Sequence, residues 1–110
     1  SLNKSTRELP KMNINFEYHD VKASVRLEEM VAKKLGKLED KYDFIVRADV
    51  FFKKEKTSTD EGFICSIKLS APGPLLFSES SNAKFEMSIA DSIDDLERQL
   101  EKRKGKLKSH

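Results

Sequence analysis

Residues 63–80 read FICSIKLSAPGPLLFSES, and this stretch decides the fold. Apolar side chains at positions 63, 65, 67 and 69 share one face of an extended chain, which is typical of a strand with one buried face. The sequence Ala71-Pro72-Gly73-Pro74 then predicts a turn, because proline fixes φ and glycine adopts conformations closed to other residues. We expect a further strand over 75–80, which must return antiparallel to the one before it.

Two more strands are predicted upstream. One begins at Val46, and its apolar residues at 46, 48, 50 and 52 share a face. The polar connection over 53–62 that follows is suited to joining antiparallel strands. The other strand begins at Asn13, where Ile14, Phe16 and Tyr18 alternate with polar residues.

Two amphipathic helices complete the pattern. Ser24 is a good N-cap, and leucine or valine at 27, 31, 35 and 38 predicts a helix over 25–39. Apolar residues at 85, 89, 93, 96 and 100 predict a second, longer helix over 82–104. The order β-α-β-β-β-α predicts an α+β fold, a four-stranded sheet with two helices packed on one face, similar to double-stranded RNA-binding domains.

Length and composition predict one domain. The chain has 110 residues, and we assign 13–108 to a single domain and 1–12 to a disordered leader or a vector-derived remnant. No stretch approaches the roughly 20 apolar residues of a membrane-spanning helix, and no secretory signal is evident. We therefore expect a cytoplasmic protein that makes no membrane contact.

Charge is segregated along the chain, although the net charge is only +2. Residues 79–97 hold six acidic residues and one lysine, a balance of 1 − 6 = −5, whereas 98–110 hold six basic residues and one glutamate, a balance of 6 − 1 = +5. The first helix also becomes basic towards its end, at Lys33, Lys34, Lys37 and Lys41. Cations at helix ends complement the macrodipole, but five in close succession repel one another unless a polyanion neutralises them.

Catalytic and metal chemistry are poorly supported. Cys65 shares the apolar face of its strand and is expected in the core, while a lone His19 at a strand end is more often a polar cap than a ligand. The spacing of Asp91, Asp94 and Asp95 favours a solvated helix face over a metal cage. We expect no enzymatic activity, no cofactor, no metal and no small-molecule substrate.

The aromatic residues mostly follow core periods, so base stacking is not the expected mode of RNA contact. They are Phe16, Tyr18, Phe44, Phe51, Phe52, Phe63, Phe77 and Phe85. Contacts to phosphates and to groove shape are favoured over sequence readout.

Three segments resemble the ribosome hibernation promoting factor family, also called ribosome-associated inhibitors or ribosomal subunit interface proteins. The run KKLGKLE at 33–39 with Tyr42-Asp43 resembles its first helix. The segment SAPG at 70–73 resembles its V-P-G turn, and LERQLEK at 96–102 resembles its second helix. The similarity covers about residues 13–108 and is closest to the short form of the family, since longer relatives carry a C-terminal dimerisation domain.

The resemblance implies a bacterial translation inhibitor that binds ribosomal RNA in the mRNA and tRNA channel of the small subunit, in stationary phase or stress. It implies RNA-binding roles for basic residues of both helices, namely Lys34, Lys37, Arg98, Lys102, Lys104 and Lys106. We add Lys33 and Arg103 from charge alone. A free monomer is expected.

Two other functions stay open. A protein-interaction regulator, of the sigma-factor modulator type, would use the acidic face of the second helix or the exposed sheet. A free double-stranded RNA-binding module would contact two successive minor grooves.

Overall fold

A computed structural model of the protein describes residues 12–56 and 61–108, with side chains described throughout except at 56, 61 and 106–108. The elements are β1 (Asn13–His19), α1 (Val25–Lys41), β2 (Arg47–Lys56), β3 (Glu61–Ser70), β4 (Leu76–Asn82) and α2 (Phe85–Lys108). The predicted α+β order is therefore confirmed.

The four strands form one sheet in the order β1-β2-β3-β4. Strand β1 is parallel to β2, so α1 is the crossover between them, whereas β2–β3 and β3–β4 are antiparallel. The register aligns Phe16, Val50 and Ile67 across the first three strands. One face of the sheet is thus continuously apolar, and both helices pack on it.

The core lies between this face and the two helices. Fully buried side chains include Val50 and Phe52 of β2 and Ile67 and Leu69 of β3. The predicted apolar stripes of the helices supply the rest, with Leu27, Val31, Leu35 and Leu38 from α1 and Ile89, Ile93, Leu96 and Leu100 from α2. The predicted helix faces are confirmed.

Both helices extend beyond their predicted ends. The Ser24 hydroxyl accepts from the Leu27 N–H at 3.2 Å, as an N-cap should, but α1 continues to Lys41 rather than residue 39. Buried Tyr42 fixes this end, because its N–H donates to the Leu38 carbonyl at 2.7 Å. Helix α2 continues to Lys108 rather than residue 104, but it begins at Phe85 rather than residue 82, since Asn82 still pairs with Phe63 in the sheet.

Four expectations about strands and burial are wrong. Met12 is 7% exposed and belongs to the core rather than the leader, whose other residues lie outside the described part of the chain. Val46 is 62% exposed because it precedes β2, and Leu75 is 58% exposed because β4 starts one residue later than predicted. Phe77 is 51% exposed, because it lies on the sheet face away from the helices.

Candidate nucleic-acid interface

The two helices lie side by side and run in the same direction. Near their N-terminal ends, Arg26 Nη2 of α1 lies 2.6 Å from Glu86 Oε2 of α2. At the C-terminal end of α1, Lys41 Nζ donates to Glu97 Oε2 in the middle of α2 at 2.6 Å, and Lys104 Nζ of α2 donates to the Lys41 carbonyl at 3.3 Å. The two basic segments predicted separately along the chain therefore meet at one end of the molecule.

The parallel helices are of unequal length. The N-terminal half of α2 carries most of its acidic side chains and lies along the whole of α1, from Glu86 beside Arg26 to Glu97 beside Lys41. The C-terminal halves carry the predicted RNA-binding residues, and the carbonyl ends of both helix dipoles point the same way. The basic half of α2 extends past the end of α1, and the two basic ends meet where Lys104 Nζ donates to the Lys41 carbonyl. These combined cations are the strongest candidate surface for a polyanion.

Within α1, Lys33 and Lys37 are exposed and Lys34 is half-buried. Lys33 and Lys37 are four residues apart and share one flank of the helix. Among the described side chains, none of these three lysines makes an ion pair or a hydrogen bond. Their charges are therefore available to an external anion.

Within α2, Arg98 and Lys102 are exposed and also lie four residues apart. Arg98 Nη2 lies 3.6 Å from Asp95 Oδ1, a loose pair between two exposed side chains. Such a pair contributes little and is readily exchanged for a phosphate. Lys106 lies in the last part of α2, and its side chain is outside the described part of the chain.

Arg103 is held by the turn between β3 and β4. Its Nη1 donates to the Pro72 carbonyl at 2.6 Å and its Nη2 to the Pro74 carbonyl at 2.9 Å. Gly73 lies between them with φ +97°, and a Cβ there would stand 3.0 Å from Arg103 Nη1. The guanidinium keeps further N–H donors, but its position is set by the protein itself.

Lys104 closes the end of α1. Its Nζ donates to the Lys41 carbonyl at 3.3 Å and lies 5.5 Å from the centroid of the Tyr42 ring. A carbonyl at a helix C-terminus lacks an intrahelical donor, so the ammonium supplies one. Lys104 therefore joins the two basic helix ends rather than projecting freely from them.

Two cations that join the helices, Lys41 and Arg26, were absent from the predicted RNA-binding set. Lys41 bridges to Glu97, whose hydrogen bond and charge raise the pKa of the lysine. Arg26 pairs with Glu86, and the pKa of that carboxyl is lowered first by its own backbone N–H and then by Arg26. Neither pairing has a signal in the sequence, because partners on different helices become neighbours only after packing.

The remaining candidates have local roles. Cys65 is fully buried, and burial raises the pKa of its thiol to about 12. Asp91 accepts from Asn82 Nδ2 at 3.0 Å, and Asp95 accepts from Gln99 Nε2 at 2.9 Å. Across the described residues, no three His, Cys, Asp or Glu side chains are grouped so as to hold a metal ion.

Neither helix among the described residues is long and apolar enough to cross a membrane.

Comparison with known proteins identifies similar chains. The family model described as "Sigma 54 modulation protein / S30EA ribosomal protein" matches residues 14–108. Two curated relatives are called ribosome hibernation promoting factor. The one from Klebsiella oxytoca is 30% identical and the one from Escherichia coli (strain K12) 33% identical, each aligned over 90% of this chain and 100% of the relative.

Two solved structures share the fold. A ribosomal subunit interface protein from Coxiella burnetii superimposes with a TM-score of 0.77 at 23% identity, covering 86% of this chain and 99% of that one. The N-terminal domain of Thermus thermophilus Protein Y superimposes with a TM-score of 0.69 at 24% identity, covering 83% and 98%. At these identities the likeness establishes the architecture.

Proposed function

Because the chain belongs to the sigma 54 modulation protein / S30EA ribosomal protein family, we propose that it is a ribosome-associated hibernation factor. In this proposal it binds ribosomal RNA in the mRNA and tRNA channel of the small subunit and blocks translation in stationary phase or stress. The fold supplies a rigid body to fill a channel, and the helical layer supplies the charge to hold it there.

One observation carries the RNA part of the proposal: the helices are parallel and their basic ends meet. The Arg26–Glu86 and Lys41–Glu97 ion pairs support this proposal because they hold α1 and α2 in register, so that the lysines of α1 and the cations of α2 can act together. A surface of this kind neutralises several phosphates at once and releases their counterions. It requires no particular base sequence, as suits binding by shape and charge.

The predicted site residues divide into two groups within this proposal. Six contact RNA phosphates directly, namely Lys33, Lys34, Lys37, Arg98, Lys102 and Lys106. Arg103 and Lys104 position the surface, since each is already held by backbone carbonyls of the protein. Inhibition is competitive occlusion: the bound protein excludes mRNA and tRNA by volume, and no covalent bond is made or broken.

Sedimentation tests the proposal. The protein is followed through sucrose gradients of a stationary-phase lysate at low and high salt. We expect it to travel with small subunits or whole ribosomes at low salt and to be released at high salt, because counterion release drives the binding. Protein that remains at the top of the low-salt gradient contradicts ribosome binding.

A charge-matched pair of variants locates the binding surface in the same gradients. Lys33→Glu with Lys37→Glu reverses two charges of the basic surface, while Lys22→Glu with Lys84→Glu reverses two exposed charges elsewhere. We expect only the first pair to leave the ribosome fractions. Equal loss with both pairs contradicts a role for the helix surface beyond net charge.

The family description also names sigma 54 modulation, which keeps a protein-binding role as the second candidate. The acidic N-terminal half of α2 is the surface that would serve it, by attracting basic segments of a protein partner. Protein binding is distinguished from RNA binding by two conditions. A protein partner would stay bound after nuclease treatment, and it would stay bound after loss of Lys33 and Lys37.

The proposal also covers the location and the oligomeric state of the protein. We place it in the cytoplasm, where ribosomes are, as a single domain over 12–108 that is monomeric when free and needs neither cofactor nor small-molecule substrate. Analytical ultracentrifugation of the purified chain tests the monomer.

A further inference from the structure

The sheet face away from the helices, here called the open face, carries a shallow groove of about 470 Å³. The groove runs from the end of β1 to β4. Its lining combines aromatic rings with basic and polar side chains of the open face, namely Phe51, Phe77, His19, Lys53 and Ser66.

Two phenylalanines give the groove flat apolar surfaces. Phe77 is 51% exposed and Phe51 is half-buried. The strand register places Phe51 opposite Ser66 and Phe77 opposite Lys68, so the rings lie in adjacent rows of the open face. Core packing does not require aromatic rings on this face, whereas stacking of a planar ligand does.

The charges along the groove are unevenly placed. Glu17 and Glu79 lie on the outer strands in the row of Phe51, so an anion is disfavoured over the aromatic rings. Lys53 lies at the β1 end, opposite His19, where Asp20 is the carboxylate that lines the groove. Lys54 borders the groove, but its side chain is on the helix side of β2, where its Nζ lies 5.4 Å from the Phe63 ring centroid, so Lys53 is the cation of the open face here.

We propose that the open-face groove binds unpaired nucleotides of single-stranded RNA, with bases stacked on Phe51 and Phe77 and a phosphate on Lys53. A nucleotide matches both features, because it joins a planar uncharged base to an anion one sugar away. This site is separate from the helix surface, which recognises phosphates and not bases. It also does not depend on ribosome binding, since a short oligonucleotide is enough to occupy it.

Amide NMR of the full 110-residue chain tests the site. The ¹⁵N-labelled protein is titrated at low salt with oligouridylate and oligoadenylate of about six nucleotides, enough to span a groove of this size. We expect shifts at Phe51, Ser66 and Phe77, in addition to any along the helices. Inorganic polyphosphate, which lacks bases, is expected to leave the amides of Phe51 and Phe77 unmoved.

Matched variants separate stacking from charge. Phe77→Ala is expected to weaken oligonucleotide binding at the open face about 5- to 100-fold. Met87→Ala, which truncates a side chain of similar exposure on α2, is expected to leave it unchanged. Lys53→Glu is expected to weaken this binding more than Lys33→Glu, which makes the same charge change on the helix surface.

Five results overturn the site. The first four are shifts confined to α1 and α2, equal binding by wild type and Phe77→Ala, shifts of Phe51 and Phe77 with polyphosphate, and no open-face shift at millimolar oligonucleotide. Open-face shifts with a peptide but not with RNA also overturn it and assign the face to a protein partner. Ribosome sedimentation reports on the helix surface separately, so failure of either proposal is recognised independently of the other.

Discussion

At the scale of single residues, Cys65 shows how position decides chemistry. Its side chain is fully buried, and burial raises the pKa of the thiol to about 12. The thiolate is the reactive form, so at about pH 8 almost none is present in the folded protein. We expect Ellman's reagent to label the native protein only as fast as it unfolds, and the denatured protein at once. Rapid labelling of the native protein contradicts this burial.

Gly73 and Gly105 form a second residue-scale comparison. Gly73 has φ +97° and lies against Arg103, whereas nothing lies within 4 Å of the Cβ position of Gly105 in α2. We expect Gly73→Ala to lower the free energy of unfolding by about 1–3 kcal/mol through backbone strain. Gly105→Ala is expected to raise it by up to about 1 kcal/mol, because alanine favours the helix. Urea unfolding of both variants measures the difference, and equal effects contradict it.

The sequence predicts whether an apolar side chain on a strand is buried. The alternating strand pattern was enough to place Cys65 in the core. It was not enough for Ser88 and Ser92, which are buried polar residues whose hydroxyls donate to the Phe63 and Cys65 carbonyls of β3. From sequence alone, a serine in a helix is expected to face solvent. Its burial here depends on a backbone carbonyl of the neighbouring strand, and such a partner leaves no signal in the sequence.

At the scale of elements, the Arg26–Glu86 ion pair joins the N-terminal ends of the two helices. The pKa of Glu86 is lowered in the folded protein from its ordinary value of 4.5, first by its own backbone N–H and then by Arg26. A lowered pKa means that the stabilisation is complete above pH 4.5 and is lost as the pH falls through the folded value. The pair is largely solvent-exposed, so its contribution is below about 1 kcal/mol.

Glu86→Gln tests this pair. We expect the variant to be slightly less stable than wild type near neutral pH, and the difference in free energy of unfolding to vanish as the pH falls below 4.5. Asp94→Gln, a change at an exposed acidic residue of the same helix, is the control. A stability difference that persists in acid, or that Asp94→Gln reproduces, contradicts the role of the ion pair.

The elements themselves were largely predictable, but their mutual arrangement was not. Periods of two and of 3.6 residues are local properties, which is why the order β-α-β-β-β-α was confirmed. The parallel pairing of β1 with β2 and the side-by-side helices depend on tertiary contacts. Gln99 is an example: its Nε2 donates to the Phe77 carbonyl at 3.0 Å and fixes α2 against the edge strand β4.

At the scale of the whole molecule, function depends on which charges share a surface. The sequence predicted two basic segments, and the parallel packing of α1 and α2 brings them together. It also separates the predicted site residues by role, since Arg103 and Lys104 contact the protein's own carbonyls. The sequence was uninformative on this point, because a lysine that caps a neighbouring helix and a lysine that binds phosphate look alike in it.

Replacing Lys37, Arg98, Lys102 and Lys106 together by alanine tests whether these four side chains bind phosphates directly. If each neutralises one phosphate, the slope of log affinity for small subunits against log salt falls by about 3 to 4. The control removes four cations from other surfaces, Lys22, Arg47, Lys68 and Lys84, and is expected to change the slope far less. Binding of labelled protein to purified subunits over a salt series measures both slopes.

Arg103→Gln with Lys104→Gln completes this test. Because these two side chains position the surface, their loss is expected to lower the free energy of unfolding by about 1–2 kcal/mol and to weaken subunit binding without changing the slope by as much as two. The quadruple alanine variant and the Arg103→Gln/Lys104→Gln variant therefore differ in the salt dependence of subunit binding, even if both lower the affinity equally. A slope reduced by two without loss of stability would instead make Arg103 and Lys104 direct phosphate ligands.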